Sequence, residues 1–147
     1  ALILSRQNLP TIDRDINQVA SINKGGYVIY ESSNQPKLVL ISTGSELAAT
    51  LEAAKVVEDS ISVRVVSIPC TERFDAQGKE YIESILGKDS IRVAVEASHE
   101  DWWRKYVGLR GSVIGMDSFG ESAPGNVLAD HFGFTKEKIV ASLRNYL

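Results

Sequence analysis

Ser5-Arg6-Gln7-Asn8-Leu9-Pro10 follows directly on the apolar run Ala1-Leu2-Ile3-Leu4, so Arg6 sits at the C-terminal lip of a strand expected at the first residues. A guanidinium fork suits bidentate binding of phosphate or carboxylate, and strand C-terminal ends are where open α/β proteins present ligand-binding groups. A plain surface arginine competes on equal terms. A second candidate is Thr43-Gly44-Ser45-Glu46, which follows a strand and opens a helix. The backbone N–H groups of Gly44 and Ser45, with the helix dipole, could hold an anion. The Thr43-x-x-Glu46 spacing is also that of a capping box, in which the two side chains satisfy free N–H groups at the helix start. The capping reading is favoured, because a phosphate loop would want more glycines and a lysine.

Glu96-Ala97-Ser98-His99-Glu100-Asp101 gathers ionisable groups just past a strand. General acid-base or metal chemistry is one reading, with a hydrolase built on Glu96 and His99 as its extreme form. Against it, consecutive side chains splay apart, no nucleophile, base and orienting group stand together, and Ser98 with Asp101 has the layout of a helix start. Cys70, the sole cysteine, has no basic neighbour in sequence to activate its thiol and reads as structural. His131 reads as packing or cap. Trp102 and Tyr106 share a helical face at i, i+4 and fit core or subunit contact better than a base-stacking platform.

The elements that must position these groups follow from periodicity. Residues 27–30, 38–41, 63–68, 91–95 and 112–116 read as strands, and 45–58, 79–86, 101–107, 123–131 and 135–146 as helices. The polar link between the first two strands is short enough to suit an antiparallel pair. Beyond it, strands alternate with helices, which implies right-handed crossovers and a parallel sheet covered on both faces. The expected fold is therefore a three-layer α/β/α domain with a five-stranded mixed sheet. Four parallel strands start near Leu38, Val63, Ile91 and Ser112, and residues 27–30 add one antiparallel strand at an edge. Residues 11–24 lack a clear stripe and read as a linker or surface segment with at most one helical turn.

At 147 residues and 44% hydrophobic content, the chain can bury one sizeable core. A net charge of -3 supplies no positive field for a phosphate backbone, so nucleic acid is not an expected partner. One cysteine forbids an internal disulfide and a Cys-rich zinc site, in keeping with a cytoplasmic setting. The apolar runs fall far short of the roughly 20 residues of a membrane span. A chain that opens on a strand is expected to be a piece of a larger protein.

Seven stretches carry a resemblance in family order: Leu4-Ser5-Arg6-Gln7-Asn8-Leu9-Pro10, Gly25-Gly26-Tyr27-Val28, Thr43-Gly44-Ser45-Glu46, Val65-Val66-Ser67-Ile68-Pro69, Arg92-Val93-Ala94-Val95-Glu96-Ala97, Lys105-Tyr106-Val107-Gly108 and Phe119-Gly120-Glu121-Ser122-Ala123-Pro124. Together they resemble the C-terminal region of transketolase, the thiamine-diphosphate-dependent ketol transferase of sugar phosphate metabolism. The resemblance implies that residues 1–10 are the tail of a preceding pyrimidine-binding domain, 11–26 a linker, and 27–147 the C-terminal domain. It makes Arg6 the arginine that grips the substrate's phosphate. The family's Gly-Asp-Gly cofactor motif is absent here, and its activating Glu and catalytic histidines belong to the other two domains.

The resemblance therefore implies no catalytic residue in this chain, and thiamine diphosphate with magnesium or calcium held by the parent enzyme only. It also implies a homodimer and sugar phosphate substrates for that enzyme. One charge-assisted contact contributes roughly 1.5–3 kcal/mol, less than the about 4 kcal/mol of a millimolar complex, so Arg6 alone should not retain a sugar phosphate. Two other readings remain: the same domain of dihydroxyacetone synthase, and a regulatory nucleotide- or anion-binding module using the crevice at the strand ends.

Overall fold

The computed structural model describes residues 4, 5 and 7–147 of the chain. Arg6 and most of the strand expected at the first residues lie outside the described residues. Leu4 and Ser5 are exposed and belong to neither helix nor strand.

Two strands have every residue buried, β2 (Leu38–Ser42) and β3 (Val63–Ser67). Continuous apolar β-branched runs of this kind suit strands covered on both faces. Because successive side chains point to opposite faces, β2 feeds two cores. Leu38 and Leu40 join a cluster with residues of α2 (Leu47–Val57) and α7 (Lys136–Leu143), including Ala53, Ala54, Ile139 and Leu143. Val39 and Ile41 join a second cluster with Phe74 of α3 (Thr71–Asp75), Leu86 of α4 (Lys79–Leu86), and Trp103 and Tyr106 of α5 (Asp101–Val107). Full burial of each large aliphatic side chain contributes about 1.5–3 kcal/mol.

The sheet order is β1-β3-β2-β4-β5, where β1 is Tyr27–Glu31, β4 Ile91–His99 and β5 Ser112–Met116. β2, β3, β4 and β5 are mutually parallel, and β1 runs antiparallel at one edge. The architecture is thus the expected three-layer mixed sheet. The neighbour of β1 is not the expected one. β1 pairs with β3, not with β2, so the short link does not close a hairpin. Ser32 N–H donates to Val63 O, while Lys37 and Leu38 N–H both donate to Ser62 O, so the link passes over the start of β3. The six linking residues need to cover only two strand spacings, roughly 10 Å.

Before β1, a short α1 (Ile16–Ser21) occupies the stretch expected to be linker, capped by Asp15 and Gln18 in a complete capping box. Gln18 also donates to Val28 O and Ile29 O, which ties this helix to β1. After α5 the chain completes β5, then α6 (Gly125–Phe132) and α7. α3 had no sequence signal, since five residues are too few to show a helical stripe.

The expected Trp102 and Tyr106 face is corrected. Trp103 and Tyr106 are each 4% exposed, whereas Trp102 is 58% exposed. The inward face of α5 follows Trp103, Tyr106 and Val107, and Trp103 Nε1 donates to Ser98 Oγ at 2.8 Å, which sets the helix rotation.

Gly25 joins the N-terminal segment to β1 in a left-handed conformation, φ 83°. A Cβ there would stand 2.4 Å from Cys70 O and 2.5 Å from Phe74 N. Gly25→Ala should therefore lower stability by about 3 kcal/mol, from backbone strain together with the clash. Urea denaturation reads the loss, and an unchanged midpoint would contradict this packing.

Candidate functional site

β2 and β3 end together, and their C-terminal ends open onto a cavity of about 400 Å³. Its walls include Leu9, Pro10, Thr43, Gly44, Ser45, Ser67, Pro69 and Arg14. Arg14 donates through Nε to Tyr27 Oη at 2.8 Å and through Nη1 to Ile12 O at 2.8 Å. The cavity that Gly44 and Ser45 line thus also has a cation, Arg14, in its wall, which the sequence reading had missed. Its signal was weak: Arg14 lies in the stretch read as linker, and its approach depends on α1 folding back on β1.

Thr43 is corrected as a capping residue. It precedes a 3-10 turn, Gly44–Glu46, and its side chain makes no cap bond. The α-helix begins only at Leu47. Glu46 is drawn instead toward Glu96 on β4, whose carboxyl is pushed up to about 8 by burial first and by the neighbouring Glu46 charge second. The Thr43 backbone partly offsets that rise. Glu96 Oε2 is buried and has no hydrogen-bond partner among the described residues. Glu46 and Glu96 are 50 residues apart in sequence, so no local pattern signalled the pair.

The stretch after Val95 is also corrected. β4 continues to His99, so Ser98 is a strand residue whose hydroxyl receives the Trp103 indole N–H, and the residue capping α5 is Glu100. His99 is exposed and turns to Asp101, with Nδ1 3.7 Å from Oδ2. Glu96 meets Glu46 and Thr43, so the structure does not bring Glu96 and His99 together as an acid-base pair.

Cys70 precedes α3, is half-buried, and its thiol donates to Glu72 Oε2 at 3.6 Å. His131 ends α6 and packs edge-on against Phe132, with ring centroids 4.7 Å apart. Among the described residues no group of three or more His, Cys, Asp or Glu could hold a metal ion. No Gly-Asp-Gly occurs in the sequence.

A larger cavity, about 720 Å³, lies at the opposite end of the sheet beside Lys37 and Ile91. Its buried cation, Arg64, is consumed by the fold: Nε and Nη2 meet Glu31 Oε2 at 2.8 and 2.7 Å, and Nη1 donates to Ser84 O and Ile85 O. Arg92 does similar work, donating to Leu86 O and Tyr106 O. Among the described residues no helix is long and apolar enough to cross a membrane.

An open α/β domain with a mainly parallel sheet and a crevice at its strand ends defines the class. The family follows from comparison. Residues 25–135 match the model of the transketolase-like TK C-terminal domain, and the chain belongs to that family. It is 52% identical to transketolase 2 of Escherichia coli (strain K12), a match covering all of this chain and 22% of the relative. The chain therefore spans about a fifth of the length of the curated relatives it matches. Among solved structures it resembles transketolase from Leishmania mexicana with a TM-score of 0.79 and 36% identity, covering 87% of this chain and 18% of that one. It also resembles a Pichia stipitis transketolase in complex with sedoheptulose-7-phosphate, with a TM-score of 0.82 and 30% identity over 93% of this chain and 20% of that one.

Proposed function

We propose that this chain is the C-terminal domain of a thiamine-diphosphate-dependent transketolase that moves a two-carbon ketol unit between sugar phosphates in the cytoplasm. The observation that carries the reading is the whole-chain match at 52% identity to a transketolase. In the parent enzyme the cofactor supplies carbanion stabilisation, with magnesium or calcium holding its diphosphate. The domain's own work is structural: it supports the homodimer and positions Arg6. Residues 1–10 complete the pyrimidine-binding domain, 11–26 link it, and 27–147 form the C-terminal domain. Arg6 contributes orientation, because anchoring the remote phosphate places the sugar carbonyl at the reacting centre.

The test assays two proteins with cofactor and metal present. The full-length enzyme should transfer ketol units and the pure 147-residue chain should not. Transfer by the chain alone would overturn its non-catalytic role, and an inert full-length enzyme would overturn the parent activity.

A second reading is favoured by one observation, the presence of Arg14 with Gly44 and Ser45 in the wall of the strand-end cavity. It makes that crevice a regulatory site for a nucleotide or simple phosphate. Calorimetry of the chain against a panel of nucleotides and phosphates should give heats that vanish in Arg14→Met. A silent panel retires this reading.

A further inference from the structure

We infer that the larger cavity, where β2 and β4 begin, binds a small polyanion, a molecule with two or more phosphate or carboxylate groups held by Lys37, Lys88 and Arg110. The site lies at the opposite end of the sheet from the Gly44 and Ser45 crevice and does not rest on the activity of any parent enzyme.

The charge in this wall is unbalanced. Lys37, Arg64, Lys88 and Arg110 share the cavity of about 720 Å³ with two carboxylates, Glu83 and Asp89. Arg64 is already paired with Glu31, and Glu83 faces Lys79 at 3.7 Å. Lys37, Lys88 and Arg110 make no ion pair among the described residues, and Asp89 gives Arg110 its main-chain oxygen, at 3.0 Å, in place of its carboxylate. That bond leaves the remaining guanidinium donors of Arg110 for a ligand. Three cations beside one carboxylate form a local positive patch in a chain of net charge -3, and an anion among them relieves their mutual repulsion.

The wall is already assembled. Ile91 N–H donates to Lys37 O at 2.9 Å and Ser90 Oγ to Pro36 O at 2.6 Å, which fastens the link between β1 and β2 to the loop before β4. Arg110 Nη2 ties in the loop before β5 through Asp89 O. Arg64 closes the remaining side, joining Asn34 O of the link to Ser84 O and Ile85 O of α4. A wall stitched in this way adds little ordering cost when a ligand binds. Its volume lies in the range that small-molecule sites occupy, and cations carried by three separate segments suit a ligand with more than one anionic group.

The test is an NMR titration of the 147-residue chain with pyrophosphate and, separately, with citrate, following backbone amides. Saturating shifts at Lys88, Asp89, Ser90 and Ile91 are expected, with a Kd on the order of 1 mM or below. The tighter of the two probes identifies the anionic group preferred. Arg110→Met and Lys88→Met should each weaken binding roughly 10-fold, and both residues are exposed, so neither change threatens the fold. Added salt should weaken binding in parallel. Arg14→Met, at the other crevice, should leave these shifts as they are. Silence with both probes overturns the site, as do shifts confined to Gly44 and Ser45. Shifts at residues 88–91 that never saturate, or that persist at full strength in the double variant Lys88→Met with Arg110→Met, overturn it as well.

Discussion

Arg64→Met should cost the chain about 3 kcal/mol of stability, read as a fall in the urea midpoint at unchanged slope. Arg64 is only 7% exposed although it is charged, and its fork is filled from several directions. Nε and Nη2 meet Glu31, Nη1 donates to Ser84 O and Ile85 O, and Nη2 reaches Asn34 O at 3.4 Å. Ser84 and Ile85 lie in the last turn of α4, where carbonyls have no partner within the helix and a cation complements the dipole. Removing the guanidinium orphans those carbonyls and the Glu31 carboxylate together.

The size of the loss is set by the carbonyls more than by the ion pair. The Glu31 side chain is 39% exposed and can rehydrate, so Glu31→Gln should cost about 1 kcal/mol or less. Arg64→Lys should recover little, because an ammonium cannot serve all these acceptors at once. An Arg64→Met protein within about 0.5 kcal/mol of the parent would show that the fork does no net work.

Arg6→Ala in the full-length enzyme should lower kcat/KM for phosphorylated sugars by roughly 10- to 150-fold, the equivalent of about 1.5–3 kcal/mol for one charge-assisted contact. Unphosphorylated sugars should lose far less. This prediction rests on the proposed phosphate-binding role, and the ratio between the two substrate classes is the measurement that carries it. Equal losses would assign Arg6 to structure. Arg6→Lys should recover part of the affinity but not the bidentate geometry.

Elements whose signal is local were legible in the sequence. α4 (Lys79–Leu86), α5 (Asp101–Val107) and β5 (Ser112–Met116) occupy the expected residues, because a stripe at helical spacing or a β-branched run is stated within a few residues. The seven family stretches were legible for the same reason, and the family match over residues 25–135 spans six of them. Expectations failed where several short-range readings compete. Thr43 and Glu46 have the spacing of a capping box, yet Thr43 makes no side-chain cap bond and the α-helix begins only at Leu47. Ser98 has the spacing of a helix cap, yet β4 runs through it to the His99–Met116 pair and its hydroxyl receives the Trp103 indole N–H.

The sequence by itself determined the α/β class, the parallel core and the family, since each rests on residue types repeated at short spacing and read in order along the chain. Only the tertiary structure decided that β3 stands between β1 and β2, that Trp103 and not Trp102 faces the core, that Arg14 reaches the strand-end crevice, and that Glu46 meets Glu96. Each of these joins groups distant in sequence or chooses between adjacent ones. Long-range burial and desolvation make that choice, and neither is a property of any single stretch of residues.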